Sequence, residues 1–209
     1  MKDFLARVIR RHGSLMVNVF LVVALGRYAA VKAWEAWQAG AFDFVEAAFA
    51  VNNVVMLTLI LIRRRHVAID RGVFHQAVAL VAFFSGIAFF KHPTPCPPAL
   101  PAGFMIAAMA LGALSLLNLG RSFGILIAVR QVKTHGLYRL VRHPMYLTEI
   151  LWRIGYVAGN LYWPNVLIFL ASSGCYVYRA ILEERFLARD PEYREYMQRV
   201  RYRFVPGVF

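Results

Sequence analysis

Long apolar runs separated by short polar segments organise this chain. Leu15–Val31, Phe44–Ile62, Val73–Phe90 and Ala102–Asn118 are such runs. A helix crossing the hydrocarbon core of a bilayer needs about 20 mostly apolar residues, within a range of roughly 17–25. These four therefore predict spanning helices. A last apolar region, Met145–Leu182, is long enough for two more, and Asn160 with Pro164 breaks it into a helical hairpin. Its first arm, Met145–Gly159, is short, so it is expected to be tilted, bent or only partly buried. The pattern predicts an all-α integral membrane protein of about six transmembrane helices, the last two a hairpin.

The connections carry the orientation. Arg63, Arg64, Arg65, His66 and Arg71 separate the second run from the third, and a segment with prolines 93, 95, 97 and 98 separates the third from the fourth. Proline removes a backbone donor and breaks a helix interior, so that second connection is read as non-helical. With both termini cytoplasmic, Lys2, Arg7, Arg10, Arg11 and the Arg63–Arg71 group fall on one side. Arg121, Arg130, Lys133, Arg139, Arg142 and the arginines from Arg179 onward join them, leaving Arg27, Lys32 and Lys91 opposite. This is the asymmetry that the positive-inside rule requires. Trp34, Trp37, Tyr162 and Trp163 fall near span ends on the other side, as an aromatic belt does.

Composition agrees. Of 209 residues, 60% are hydrophobic and only 17% charged, against about a quarter charged in soluble domains. Mean hydropathy is +0.53. A net charge of +13 suits anionic lipid or nucleic acid, and the spanning runs decide for the membrane. Cys96 and Cys175 stand far apart in no metal-like spacing, so neither a disulfide framework nor a metal site is expected. The basic N-terminus before an apolar run lacks a small-residue cleavage site and is read as a retained first helix.

Candidate chemistry gathers at the cytoplasmic end. In Gly136-Leu137-Tyr138-Arg139-Leu140-Val141-Arg142-His143-Pro144-Met145-Tyr146, Pro144 suits a first helical turn, where its missing N–H costs nothing. His143 then lies at a helix start, where backbone donors favour an anion. Arg139 and Arg142 can add charge-assisted bonds to a carboxylate or phosphate, and Tyr138 and Tyr146 can offer ring faces to an adenine or a cation. Contact with lipid headgroups is the plainer alternative. Glu183 and Glu184 close the last span. Adjacent helical residues point roughly 100° apart, so at most one of them faces a given cavity. They either pair with arginines or hold a ligand cation, amine or hydroxyl. The basic and aromatic tail from Tyr193 through Arg203 to Pro206 can coat lipid or close over a cofactor. Within the membrane, Glu149 and Arg153 stand four apart on one helix face and can pair, as a functional site or as a lock on the hairpin. Asn52, Asn53, His75 and Gln76 are read as interhelical hydrogen-bonding groups.

Leu119-Gly120-Arg121-Ser122-Phe123-Gly124, Gly136-Leu137-Tyr138-Arg139, Arg142-His143-Pro144-Met145-Tyr146, Glu183-Glu184, Tyr193-Arg194-Glu195-Tyr196 and Pro206 occur in that order. Together they resemble the isoprenylcysteine carboxyl methyltransferase family, in its bacterial form, and the related phospholipid methyltransferases. The resemblance covers about the last 90 residues. It implies an integral membrane methyltransferase, in a bacterial inner membrane, that binds S-adenosylmethionine without a Rossmann sheet. No glycine-rich strand-to-helix turn is present, which agrees.

The resemblance further implies cofactor contacts from Tyr138, Arg142, His143, Tyr146, Glu183, Glu184 and Arg203. A lipophilic acceptor would enter from the bilayer, with Arg121 or Arg153 orienting a carboxylate. Glu149 or His143 would take the proton from an amine or thiol. Residues 1–118 become a scaffold and 119–209 the catalytic region. Glu149 after the Arg-His-Pro segment departs from the eukaryotic prenylcysteine enzymes and sets that substrate apart. Two other classes stay open: an NADPH-dependent sterol-type reductase, and a non-catalytic transporter or scaffold. The second predicts polar residues spread along the spans, whereas here they collect at one end.

Overall fold

The structure is a computed structural model that describes residues 44–208 apart from 65 and 91–98, together with scattered residues between 19 and 38. The first expected span, Leu15–Val31, lies partly outside the described residues, and the proline segment at 91–98 wholly so. Six α-helices are numbered here among the residues from 44 onward: α1 Phe44–Ile62, α2 Val73–Phe84, α3 Ala99–Leu119, α4 Pro144–Gly159, α5 Trp163–Leu187 and α6 Pro191–Arg199. Among the described residues, three helical stretches are long and apolar enough to cross a membrane: Phe44–Ile62, Ala99–Ser122 and Trp163–Leu187.

Of the other two helices of the bundle, α4 has the short extent expected for Met145–Gly159, whereas α2 is shorter than the sequence pattern suggests. The apolar run Val73–Phe90 is α-helical only to Phe84 and tightens into a 3₁₀ turn over Ser85–Ala88. A 12-residue helix rises about 18 Å, against a hydrocarbon core of about 30 Å. The tightening falls where Ser85 accepts from Arg153 Nη2 at 3.1 Å and Gly86 lies against Trp152. Phe90 then meets the corner of the α4–α5 hairpin. Its carbonyl accepts from Tyr156, Asn160 and Asn165, and its N–H donates to Asn165 Oδ1. Asn160 thus ends α4 and also ties the corner to the end of the third run.

Side-chain size sets the packing. Val45 of α1 clusters with Met105, Ala108, Met109 and Trp152, while Leu59 and Ile60 cluster with Leu116, Phe123 and Ile125. So α1 and α3 run in the same direction, and α4 returns antiparallel against α3. That return is close. A methyl group on Gly155 would lie 2.5 Å from Met105 Cγ and 3.2 Å from the Pro101 carbonyl, the small-residue contact by which membrane helices approach. Asn52 bonds across helices as expected, to the Met109 carbonyl at 2.9 Å. His75 and Gln76 do something else. His75 pairs with Asp70, and Gln76 bonds Asp70 O and both backbone groups of Ile127. They fasten α2 to the connecting segments, because they sit in its first turn rather than midway along it.

Those segments meet at one end of the bundle. Ala68–Ile69 pairs antiparallel with Val129–Ala128 in a two-stranded ribbon. Arg64 N–H donates to the Arg121 carbonyl, and Arg121 Nε to the Ile62 carbonyl at 3.0 Å. The basic connections, the Arg-His-Pro segment and the tail therefore share one end.

Candidate functional site

Three stretches of chain converge at that end. Pro144 occupies the first turn of α4 with His143 as its N-cap. The backbone at 142–143 pairs with the tail: Arg142 N–H donates to Tyr202 O and His143 N–H to Arg203 O, each at 2.9 Å. The end of α5 delivers the two glutamates, and the 100° step between them separates their roles. Glu184 is 3% exposed and takes Arg142 Nε at 2.6 Å, His143 Nε2 at 3.1 Å and Arg203 Nε at 2.8 Å. Arg142 also donates to the carbonyls of Val200 and Arg201. Glu184 is thus the centre of a knot that fixes the tail onto the start of α4. Glu183 faces the other way and accepts the Tyr146 hydroxyl.

Arg142 and His143 of the knot contribute to one wall of a cavity. Tyr138, Arg142, His143, Tyr146 and Glu183 line it, and so do Arg130, Lys133, Tyr193 and Tyr196, which sequence reasoning does not single out as ligand contacts. It encloses about 710 Å³ of atom-free space, counting the part open to solvent. Its walls are aromatic. His143 stacks on Tyr146 with planes 8° apart and centroids 5.3 Å apart. Tyr196 donates to the Tyr138 carbonyl at 2.8 Å. Burial raises the Tyr138 and Tyr196 phenols above their ordinary range, and nearby Glu183 adds to the shift at Tyr138. Both rings therefore remain neutral, suited to stacking and to hydrogen bonding. Neutral ring faces and one carboxylate, Glu183, can hold a ligand cation, while Arg130, Lys133 and Arg142 bring positive charge to the same lining.

A second cavity lies deeper between the helices. Asn52, Thr148, Glu149, Tyr176 and Arg179 line it along with apolar side chains, and Gly124 and Met145 line both cavities. Glu149 Oε2 accepts from Arg153 Nη1 at 2.7 Å and Trp152 Nε1 at 2.9 Å, with Tyr176 OH at 3.4 Å. Arg153 is fully buried, its guanidinium 4.3 Å from the Trp152 ring centre and 5.0 Å from that of Tyr176. The pair read from their spacing is formed.

Arg179 departs from its expected place among the cytoplasmic charges. It is buried in the bundle, donating to the carbonyls of Ala79, Gly124 and Ile125, and lies 4.9 Å over the Tyr146 ring. Its position inside an apolar helix is the sequence signal that marks it. Arg121 lies apart from both cavities, exposed and spent on the Ile62 carbonyl. Arg203 and Glu184 form the knot behind the first cavity's wall rather than the wall itself.

Residues 102–193, just under half of the chain, match the model of the phospholipid methyltransferase family. No match is found among curated proteins. The matched segment runs from α3 into α6 and carries most of both cavities. The match is consistent with an isoprenylcysteine and phospholipid methyltransferase-like family, as the ordered motifs suggest. It supports a methyltransferase associated with a membrane, in keeping with the three apolar helices.

Proposed function

We propose that the chain is a multi-pass membrane methyltransferase that transfers the methyl group of S-adenosylmethionine to a lipophilic small molecule or lipid. In this reading both termini and the aromatic cavity lie on the cytoplasmic side, and about six helices cross the bilayer. The observation that carries it is the pair of cavities meeting at Gly124 and Met145, one polar and aromatic, the other enclosed by membrane helices. A water-soluble donor and a bilayer-borne acceptor need two such chambers.

The bound cofactor supplies a methyl group on a sulfonium, open to in-line displacement. The protein's contribution is then mainly alignment. Tyr146 and His143 form a stacked wall, and Glu183, fixed by the Tyr146 hydroxyl, holds positive charge. The Glu184 knot seats the tail so that Tyr193 and Tyr196 complete the enclosure. In the inner chamber Glu149, held by Arg153, takes the proton of an amine or thiol acceptor as its lone pair attacks. A carboxylate acceptor needs no base and is oriented by arginine. Arg121 is left with an anchoring role between the ends of α1 and α3.

Calorimetry on the detergent-solubilised chain tests the reading. S-adenosylhomocysteine is expected to bind and NADPH not to. Binding of NADPH alone sinks the methyltransferase reading in favour of a reductase.

A further inference from the structure

Among the described residues, Arg130 has no ion-pair partner. It lines the outer cavity together with Glu183, yet no ion pair joins them, and its buried Nε has no hydrogen-bond partner among the described residues. Arg130 is half-buried, and a guanidinium whose shielded Nε is left with an unmet donor is costly. The cost is visible in its protonation. Burial first, and repulsion from Arg63 second, pull the Arg130 pKa down to about 10, against the attraction of Glu183.

The neighbouring glycine makes room for this charge. A Cβ on Gly124 would lie 2.1 Å from Arg130 Nη1, 2.5 Å from Cζ and 2.8 Å from Nη2. Gly124 is not in the left-handed backbone region, so an alanine fits the backbone there, and its nearest clash is with the guanidinium. The space at residue 124 is occupied by the end of this arginine, which keeps it at the cavity wall. Lys133, whose Nζ rests 3.1 Å from Gln131 Oε1, adds a second cation to the same wall.

One cavity thus carries an unpaired cation and a carboxylate that do not meet. A ligand with a negative and a positive pole at one end completes both. A lone phosphate satisfies Arg130 but is repelled by Glu183. Resting on the function proposed above, we propose that Arg130 anchors the α-carboxylate of S-adenosylmethionine, while Glu183 holds the positive end of the same amino-acid group. Gly124 is the positioning residue that admits the guanidinium.

The test compares two ligands differing by that carboxylate alone: S-adenosylhomocysteine and its decarboxylated analogue. Calorimetry uses the full chain in detergent. The wild type is expected to prefer S-adenosylhomocysteine by about tenfold or more, the worth of a charge-assisted contact. Arg130→Ala should abolish the preference by weakening S-adenosylhomocysteine while changing the analogue less than about threefold. Gly124→Ala should do the same by displacing the arginine, and it decides the matter if Arg130→Ala does not fold. A preference that survives both substitutions overturns the assignment, as does an equal loss for both ligands. If the wild type binds neither nucleoside, the methyltransferase reading itself falls and the carboxylate anchor falls with it.

Discussion

Two carboxylate–arginine centres lie along the α4–α5 hairpin, and they differ in what is left over. At the centre nearest the connecting segments, Glu184 is 3% exposed and bonded to Arg142, His143 and Arg203. At the inner centre, Glu149 holds an equally close arginine, yet its side chain is 37% exposed and lines a cavity. The first is a closed network in which each partner also fixes backbone or tail. The second is held on one side and open on the other. A charge whose partners enclose it organises structure, whereas a charge held in place with one face free is available for chemistry. Glu183 stands beside Glu184 in sequence but belongs with Glu149 in kind.

The sharpest way to break this contrast is to remove Glu184. Glu184→Ala leaves Arg142, His143 and Arg203 without their common anion. Breaking a buried pair typically costs about 3–5 kcal/mol. We expect a large fall in the unfolding temperature, loss of S-adenosylhomocysteine binding, and faster proteolysis of the tail after Arg199. A variant that melts and binds like the wild type would show that the knot does not hold the tail.

Glu149 should answer in the opposite currency. Glu149→Gln keeps the shape and an acceptor for Arg153, so melting and cofactor affinity should change little. Turnover with an amine or thiol acceptor should fall by about 10²–10⁴-fold, the usual worth of a positioned base. Equal losses in affinity and turnover would return Glu149 to a purely structural role.

Between the two lies Glu183, where the relevant contact is one hydroxyl. Tyr146→Phe removes the bond that orients this carboxylate while keeping the ring stacked on His143. A hydrogen bond to a charged group contributes about 1.5–3 kcal/mol. Cofactor affinity should weaken by tenfold or somewhat more, with the unfolding temperature nearly unchanged. A large drop in melting with unaltered affinity would move Glu183 into the structural class.

Much of this arrangement is legible in the sequence, and the limit has a physical cause. The span Phe44–Ile62 coincides with α1 because an apolar run ends at a block of arginines, which both composition and bilayer enforce. Pro144 and Asn160 mark the ends of α4 because local backbone chemistry acts there. The division of labour between Glu183 and Glu184 follows from helical geometry alone. What escapes is tertiary. Tyr193 and Tyr196 reach the cavity only because the tail folds back onto residues 142 and 143. Arg179 sits near the end of an apolar run, and its burial depends on carbonyls from two other segments. The early end of α2 depends on Ser85 and Gly86 meeting α4, which hydropathy does not register. Arg130 carries no local signal at all, since its importance lies in lacking a partner.

The smallest effect expected concerns a centre unlike either of these, at the start of α2. Burial alone would raise the Asp70 carboxyl, but it is outweighed by the Gly72 N–H at 2.9 Å, the hydrogen bond and charge of His75 and the attraction of Arg189. The net shift is downward. A carboxyl lowered on folding adds stability above its unfolded pKa of about 3.9, and that stability is lost as pH falls through the folded value. Asp70→Asn should therefore lower the unfolding temperature slightly at neutral pH and flatten its acid-side decline below about pH 4. Melting curves in detergent across that range check it. Identical acid slopes would mean that Asp70 bonds α2 to the loop without any net gain from its charge, making it a third kind of carboxylate here, neither knot nor catalyst.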